Sequence, residues 1–242
     1  MNIEIDTHTH TVLSGHAHST LMENAAAAAR IGLKGFVVTD HGPAIPAAPP
    51  DFNLATLEYL PDVIEGVRVY HGVEANIVDF EGNIDIREKY IKLTDFTIAG
   101  MHEVVIRTGG LKKDTDAVLS ALNNKYVDMI SHPDNPNYSL DYEAVVKEAA
   151  RLNKLLEVND HSFESRKGGI ERAMIFLPMC RRYGVRVAVS SDAHSAFGMG
   201  HFSAAFRVLE QISFPSEMII NATQESFEDY LKERASRKEC CA

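Results

Sequence analysis

The sequence predicts a single α/β domain built as a closed or nearly closed parallel barrel, and three observations support this prediction. Seven apolar, strand-like runs alternate with helix-like stretches along the 242 residues, a pattern typical of right-handed βαβ units. No long linker, low-complexity segment or repeat separates them. Nearly every strand-like run ends in a histidine or a carboxylate. Because the carboxyl ends of parallel strands converge on one face, we expect these side chains to form one site.

The elements can be placed in order along the chain. The predicted strands cover residues 3–6, 35–39, 68–70, 96–100, 129–131, 155–158 and 185–189. The first helix has the clearest limits, because Thr20 and Glu23 form a capping box and Gly32 ends it. Further helices are expected around residues 53–65, 114–124, 141–152, 169–183, 201–212 and 223–234. Residues from about 236 to 242 are predicted to be a loose tail.

Composition excludes several classes of function. The chain has 34 acidic and 24 basic residues, a net charge of −10, which disfavours nonspecific binding to nucleic acid or a membrane surface. No apolar run approaches the roughly 20 residues of a membrane span. The N-terminus lacks a signal-like segment, and three cysteines provide no secreted disulfide framework. We therefore expect a cytoplasmic protein, with a homo-oligomer possible.

Two strand ends carry paired ligand-type residues separated by one position. His8 and His10 share a face of their strand, so both imidazoles can reach one ion. Asp192 and His194 are spaced in the same way, and His16 follows the first pair in a loop. The alternative for His8 and His10 is a surface feature, and the alternative for Asp192 and His194 is a capped turn with a solvated histidine.

Other strands end in single ligand-type residues. Glu74 ends an otherwise apolar strand, where a carboxylate is costly to bury unless it is paired or coordinated, and its two oxygens can bridge two cations. His102 and His132 occupy the equivalent position on two later strands. His41 follows Asp40, which we expect either to touch metal or to fix an imidazole tautomer.

The predicted ligands number nine, which is more than a single metal ion coordinates. They suit two or three ions that keep coordination positions open for water. Imidazole with carboxylate and no thiolate favours zinc, manganese or iron. His71 has the opposite strand parity from Glu74 and is predicted to be structural, whereas His161 is ambiguous. The nine predicted metal ligands are His8, His10, His16, His41, Glu74, His102, His132, Asp192 and His194.

These motifs resemble the PHP superfamily (polymerase and histidinol phosphatase), most closely its YcdX-like branch of stand-alone phosphatases. The resemblance extends from residue 3 to about 220. It rests on His8-Thr9-His10, His16, Thr39-Asp40-His41-Gly42, Glu74, Met101-His102-Glu103, Ser131-His132-Pro133, Ser191-Asp192-Ala193-His194, residues 162–168 and residues 196–200.

The resemblance implies a distorted (βα)7 barrel with a trinuclear metal centre at the carboxyl ends of the strands. Carried over by position, one ion is held by His8, His10, Glu74 and Asp192. A second is held by Glu74, His102 and His132, and the third by His16, His41 and His194. Glu74 and Asp192 are also the expected catalytic residues.

The expected reaction is hydrolysis of a small phosphomonoester by metal-activated hydroxide. Arg166 and Lys167 precede a predicted helix N-terminus, which together with them predicts a phosphate cradle; Arg107 is a weaker candidate, and a solvated basic pair is the alternative. Two other classes remain open. One is an amidohydrolase-type C–N hydrolase, although Glu74 stands where that family has a carboxylated lysine. The other is a non-catalytic metal-binding PHP module.

Overall fold

The computed structural model describes residues 1–240, and the side chains of residues 1–235. Its strands are β1 (Ile5–Thr9), β2 (Gly35–Val38), β3 (Val63–Ile64), β4 (Val67–Asn76), β5 (Phe96–Gly100), β6 (Met129–Ile130), β7 (Leu155–Asn159) and β8 (Val187–Ser190). Its α-helices are α1 (Leu21–Ile31), α2 (Glu88–Ile91), α3 (Leu111–Asn123), α4 (Tyr142–Leu152), α5 (Asp160–Ser165), α6 (Gly169–Tyr183), α7 (Ser203–Gln211) and α8 (Gln224–Cys240).

Seven parallel strands form a nearly closed barrel in the order β1, β2, β4, β5, β6, β7, β8. Between the first and last of them, one parallel bridge joins Thr9 to Ala193. The side chain of Asn221 connects the same two strands further from the carboxyl ends. It donates to Ile5 O at 2.7 Å and accepts from Val189 N at 3.0 Å. The predicted α/β barrel is therefore confirmed, with a side-chain amide replacing part of the last strand pairing.

The sequence prediction was wrong for the second expected helix, over residues 53–65. Residues 53–65 do not form an α-helix; a 3₁₀ helix covers Asp51–Tyr59 and is followed by β3. β3 pairs antiparallel with β4, through a turn at Glu65 and Gly66 with φ values of 53° and 77°. Two consecutive left-handed residues are the requirement of a tight hairpin turn, which explains why the helix cannot continue.

The other predicted helices are present within a few residues of their expected limits. The capping box of α1 is formed, with Thr20 N donating to Glu23 Oε2 at 2.7 Å and Gly32 closing the helix at φ 81°. The short helices α2 and α5 were not predicted. Residues 236–240 of the expected loose tail have helical backbone at the end of α8, while their side chains and residues 241 and 242 lie outside the described part of the chain. Among the described helices, none has the length and apolarity that crossing a membrane requires.

The barrel interior has two halves. The lower half, at the amino ends of the strands, is apolar, and the upper half, at their carboxyl ends, is polar. Ile5, Tyr70, Phe96 and other strand side chains pack with Phe227 and Tyr230 of α8, which closes the lower end. A larger apolar layer fills the space between the strands and the outer helices. The upper half is consequently left for the residues at the carboxyl ends of the strands.

An irregularity in β1 turns its histidines inward. Pairing with β2 shifts register between Asp6 and Thr9. Ile5 lies in the apolar interior and His8, three residues later, is also buried in the barrel. Regular alternation would place these two side chains on opposite faces, so the register shift is what allows both to point inward.

Candidate metal centre

The structure brings all nine predicted ligands together at the carboxyl end of the barrel. Seven of them line one cavity of about 260 Å³. His8 and His10 lie beneath it, with no exposed surface. The cavity is lined by His16, His41, Glu74, His102, His132, His161, Arg166, Asp192 and His194.

Glu74 lies at the centre of this group, and its two oxygens face different histidines. Oε2 is 2.8 Å from His41 Nδ1 and 3.3 Å from His8 Nε2. Oε1 is 3.0 Å from His132 Nε2 and 3.3 Å from His102 Nε2. The arrangement matches a carboxylate that bridges two cation positions.

Asp192 supplies the second buried carboxylate. Its Oδ1 lies 3.2 Å from His10 Nε2 and 3.4 Å from His8 Nε2. Burial opposes ionisation of Asp192 and of Glu74, yet the facing imidazoles, His8 first among them, outweigh burial and hold the pKa of both carboxyls well below its usual range. The centre therefore contains two carboxylates that are charged although almost completely buried.

Hydrogen bonds behind two histidines fix which ring nitrogen faces the centre. His8 Nδ1–H donates to Glu157 Oε1 at 2.6 Å. His102 Nδ1–H donates to Asn76 Oδ1 at 2.7 Å, and the orientation of that amide is set by its Nδ2 donating to Asp85 at 2.6 Å. In the neutral ring the Nε2 lone pair is then directed at the centre, as in metal-binding histidines.

The hydroxyl group of Ser14 fixes the orientation of the His10 ring in a similar way. Ser14 Oγ donates its single proton to Asp40 Oδ1 at 2.6 Å, so it accepts from His10 Nδ1–H at 2.9 Å. Asp40 also accepts from Thr11 N and Oγ1, both at 2.7 Å. The structure thus places Asp40 behind an imidazole, the second of the two alternatives that the sequence left open.

Two pairs of Nε2 atoms lie so close together that each pair must share either a proton or a cation. His8 Nε2 is 2.9 Å from His10 Nε2, and His194 Nε2 is 3.0 Å from His16 Nε2. Within the described chain, Glu74 Oε2 and Asp192 Oδ1 are buried and have no hydrogen bond of acceptable geometry. Converging lone pairs and unpaired carboxylate oxygens are what a cation site requires, so these residues fit metal ions.

The tightest ligand groups overlap with the ion sets that the resemblance implies, but do not coincide with them. Donor atoms within 4.8 Å of one another define three groups. The group of His8, His10 and Glu74 is part of the first implied ion set. In the other two groups, His10 lies beside ligands of the third implied set, and His41 lies beside ligands of the second. These groups are His10, His41 and His194; His8, His10 and Glu74; and His41, Glu74 and His102.

Two of the predicted ligands have a strained backbone conformation. His132 and Asp192 have φ values of 32° and 52°, in the left-handed region that residues other than glycine rarely adopt. The loop after β8 is held by Asp6, which accepts from Ser191 N at 3.0 Å and from Gly200 N at 3.1 Å. Such strain persists only where the surrounding contacts enforce it, and it concentrates at functional sites.

The three predicted phosphate-binding cations are placed differently. Arg166 lines the cavity, and its Nη1 is buried with no partner in the described part of the chain. Lys167 and Arg107 are exposed, and neither lines this cavity or a wider cavity that adjoins it. A Cβ on Gly169, the first residue of α6, would lie 2.8 Å from Asp134 Oδ2, so a carboxylate already occupies that helix terminus.

Sequence reasoning missed the residue that orients two of the histidines. Glu157 is completely buried in β7, accepts from His8 Nδ1, and accepts from His132 N at 2.5 Å. It also accepts from Ser190 Oγ at 2.5 Å. A glutamate inside an otherwise apolar strand was the available signal, because such a charge needs partners.

Comparison with known proteins gives consistent relatives. The sequence matches the family described as PHP domain over residues 6–165. It is 42% identical over 237 residues to a protein of Acetivibrio thermocellus named probable phosphatase, covering 98% of each chain. It is also 42% identical to a probable phosphatase of Caldanaerobacter subterraneus, covering 98% of this chain and 94% of the other.

Solved structures share the fold at low sequence identity. A histidinol phosphate phosphatase from Lactococcus lactis, solved with zinc, L-histidinol and phosphate, superposes with a TM-score of 0.59 at 16% identity. That alignment covers 88% of this chain and 94% of the other. At this identity the likeness shows the barrel fold alone.

Proposed function

This chain belongs to the PHP domain family, and from that premise we propose that it is a metal-dependent phosphatase that hydrolyses small phosphomonoesters at a centre of three divalent ions. The family match and two relatives that are 42% identical and named probable phosphatases support the reaction class. Zinc is the ion we propose, since it suits the ligand set and was bound in the histidinol phosphate phosphatase of the same fold.

The observation that carries this proposal is the pairing of imidazole nitrogens across the centre. His8 with His10 and His16 with His194 direct Nε2 atoms at each other at 2.9 and 3.0 Å. Two ring nitrogens at this distance share either a proton or a cation, and the buried carboxylates of Glu74 and Asp192 beside them favour a cation. Hydrogen bonds to Glu157 and Ser14 hold the first pair in that orientation.

The chain's own residues would divide the work as follows. Glu74 and Asp192 supply the negative charge that holds the ions, and the seven histidines complete their coordination. When bound, the ions would lower the pKa of a water molecule and neutralise the phosphoryl oxygens. Arg166 lines the same cavity, and its guanidinium would bind a phosphate oxygen.

Elemental analysis combined with a phosphoester panel tests the proposal. We expect two to three transition-metal ions per chain and faster cleavage of phosphomonoesters than of phosphodiesters, because a monoester offers more terminal oxygens to the ions. Less than one equivalent of metal after gentle purification and reconstitution would refute the metal centre. Faster hydrolysis of amides or lactones would instead assign the site to C–N or ester hydrolysis.

A further inference from the structure

A second cavity, of about 430 Å³, opens outward from the metal centre and shares His16, His41, His102 and Arg166 with it. Its volume is sufficient for a small molecule. A phosphate held at the inner end of this space must direct the rest of its ester outward, into the second cavity. The residues of this mouth that matter for the leaving group are Ile45, Pro46, Glu103, Val104 and Asn137.

The mouth combines an aliphatic wall with one carboxylate. Ile45, Pro46 and Val104 contribute the aliphatic part, and Val104 is 68% exposed. Glu103 contributes the carboxylate, next in sequence to His102, whose Nε2 faces Glu74. Glu103 thus follows in sequence a residue that lines both cavities.

Glu103 is held in place but not neutralised. Its Oε2 accepts a hydrogen bond from Asn137 Nδ2 at 2.6 Å. In the described part of the chain, neither Glu103 nor Arg166 takes part in an ion pair within 4.0 Å, although both line the mouth. The mouth therefore holds one guanidinium and one carboxylate, and the carboxylate has an amide but no cation as its partner among the described residues.

We propose that this site prefers phosphomonoesters of small aliphatic alcohols that carry a protonated amine, and that Glu103 is the residue that recognises the amine. The inference rests on the proposed phosphatase function and adds a substrate class to it. A carboxylate that is anchored by an amide and lacks a cationic partner interacts more favourably with an ammonium group than with a hydroxyl of the same size.

Two nearly isosteric esters test this directly: phosphoethanolamine and 2-hydroxyethyl phosphate. For each metal-reconstituted protein, the ratio of kcat/KM for the amine ester to that for the hydroxyl ester is measured. Comparing this ratio between proteins cancels the intrinsic difference in reactivity of the two esters. We expect Glu103→Gln to lower the ratio about fivefold, mainly through KM, as befits a partly exposed charge pair.

Glu210→Gln is the matched control, because Glu210 is exposed on α7 and lines neither cavity. It removes the same charge and should leave the ratio at the wild-type value. The wild-type protein gives a second readout: raising the ionic strength should lower its ratio toward that of Glu103→Gln, since salt screens exposed charges.

The outcomes separate the two proposals. If 2-hydroxyethyl phosphate is hydrolysed but the ratio is the same in wild type and Glu103→Gln, the amine preference is wrong and the phosphatase function stands. A wild-type ratio that is insensitive to salt contradicts the preference even if Glu103→Gln loses metal. If reconstituted wild type cleaves no phosphomonoester, both proposals fail.

Discussion

Glu74 is the residue on which the two sides of the centre depend, since each of its oxygens faces a different set of histidines. Glu74→Gln keeps the size of the side chain but removes the charge that allows it to bridge two cations. We expect loss of at least one ion per chain and of most turnover, with the fold retained, because the apolar half of the barrel does not involve this side chain. Elemental analysis, circular dichroism and kinetics on the same sample measure this. Normal metal content with normal activity would contradict the bridging role.

Arg166 and Lys167 are neighbours in sequence, yet only Arg166 faces the cavity. Arg166→Ala should raise KM for a phosphomonoester about tenfold or more, the usual effect of losing a charge-assisted hydrogen bond. Metal content should stay constant because the guanidinium is not a ligand. Lys167→Ala is the control with the same loss of charge, and we expect its KM to match the wild type. Equal effects of the two substitutions would point to general electrostatic attraction instead of a contact.

The nine ligand-type residues could be located from the sequence because each combines a strand-end position with a metal-binding side chain. Their supporting residues could not be found in this way. Glu157 and His8 are 149 positions apart, and their contact is created by the register of β7 and β8 around the barrel. The role of Ser14, which connects His10 to Asp40 by hydrogen bonds, can be recognised only from the structure.

At the scale of elements, α8 closes the barrel from below. Phe227 is completely buried and packs edge-to-face against Tyr70 and Phe96, with ring centroids 5.0 and 5.5 Å away. Phe227→Ala should lower the free energy of unfolding by about 3–5 kcal/mol, because it removes a large side chain and leaves a cavity. Chemical denaturation monitored by circular dichroism measures the change.

Phe197→Ala provides the control for that experiment. Phe197 is 91% exposed in the loop after β8, so the same substitution should change stability by less than about 0.5 kcal/mol. A similar loss of stability in both variants would mean that α8 does not close the core as the structure shows it.

Helix limits followed from the sequence wherever a cap marks them, as Thr20 and Gly32 do for α1. The segment 53–65 was misassigned because its apolar residues are compatible with a helix. What decides its structure is the Glu65–Gly66 turn, which returns the chain antiparallel onto β4. Strand pairing of this kind is a tertiary interaction that overrides local propensity.

For the molecule as a whole, the centre gathers residues from all around the barrel in a protein of net charge −10. Without metal ions, the two buried carboxylates are balanced only by protons on the facing imidazoles, and burying such a cluster costs free energy. Ions bound between strands that are distant in sequence would remove this cost and connect the strands. Metal binding should therefore contribute to the stability of the whole domain and not only to activity.

Chelation at several pH values tests that coupling. Burial lowers the pKa of His102 to about 4, so its neutral form stabilises the fold above the ordinary histidine pKa near 6.5, and this contribution is lost as pH falls from about 6.5 to 4. Burial raises the pKa of Asp6 and of Asp134 to about 6, so their contribution to stability instead grows as pH falls through about 6.

Both aspartates are present with and without metal, so the difference in Tm between reconstituted and chelated protein largely cancels their titration. We expect that difference to be greatest near pH 8 and to disappear between about pH 6.5 and 4, as protonation of the imidazoles displaces the ions. Calorimetry with and without chelator, paired with elemental analysis at each pH, measures it. A chelator that removes the metal without lowering Tm, or a difference that persists at pH 4, would show that the ions do not connect the strands of the barrel.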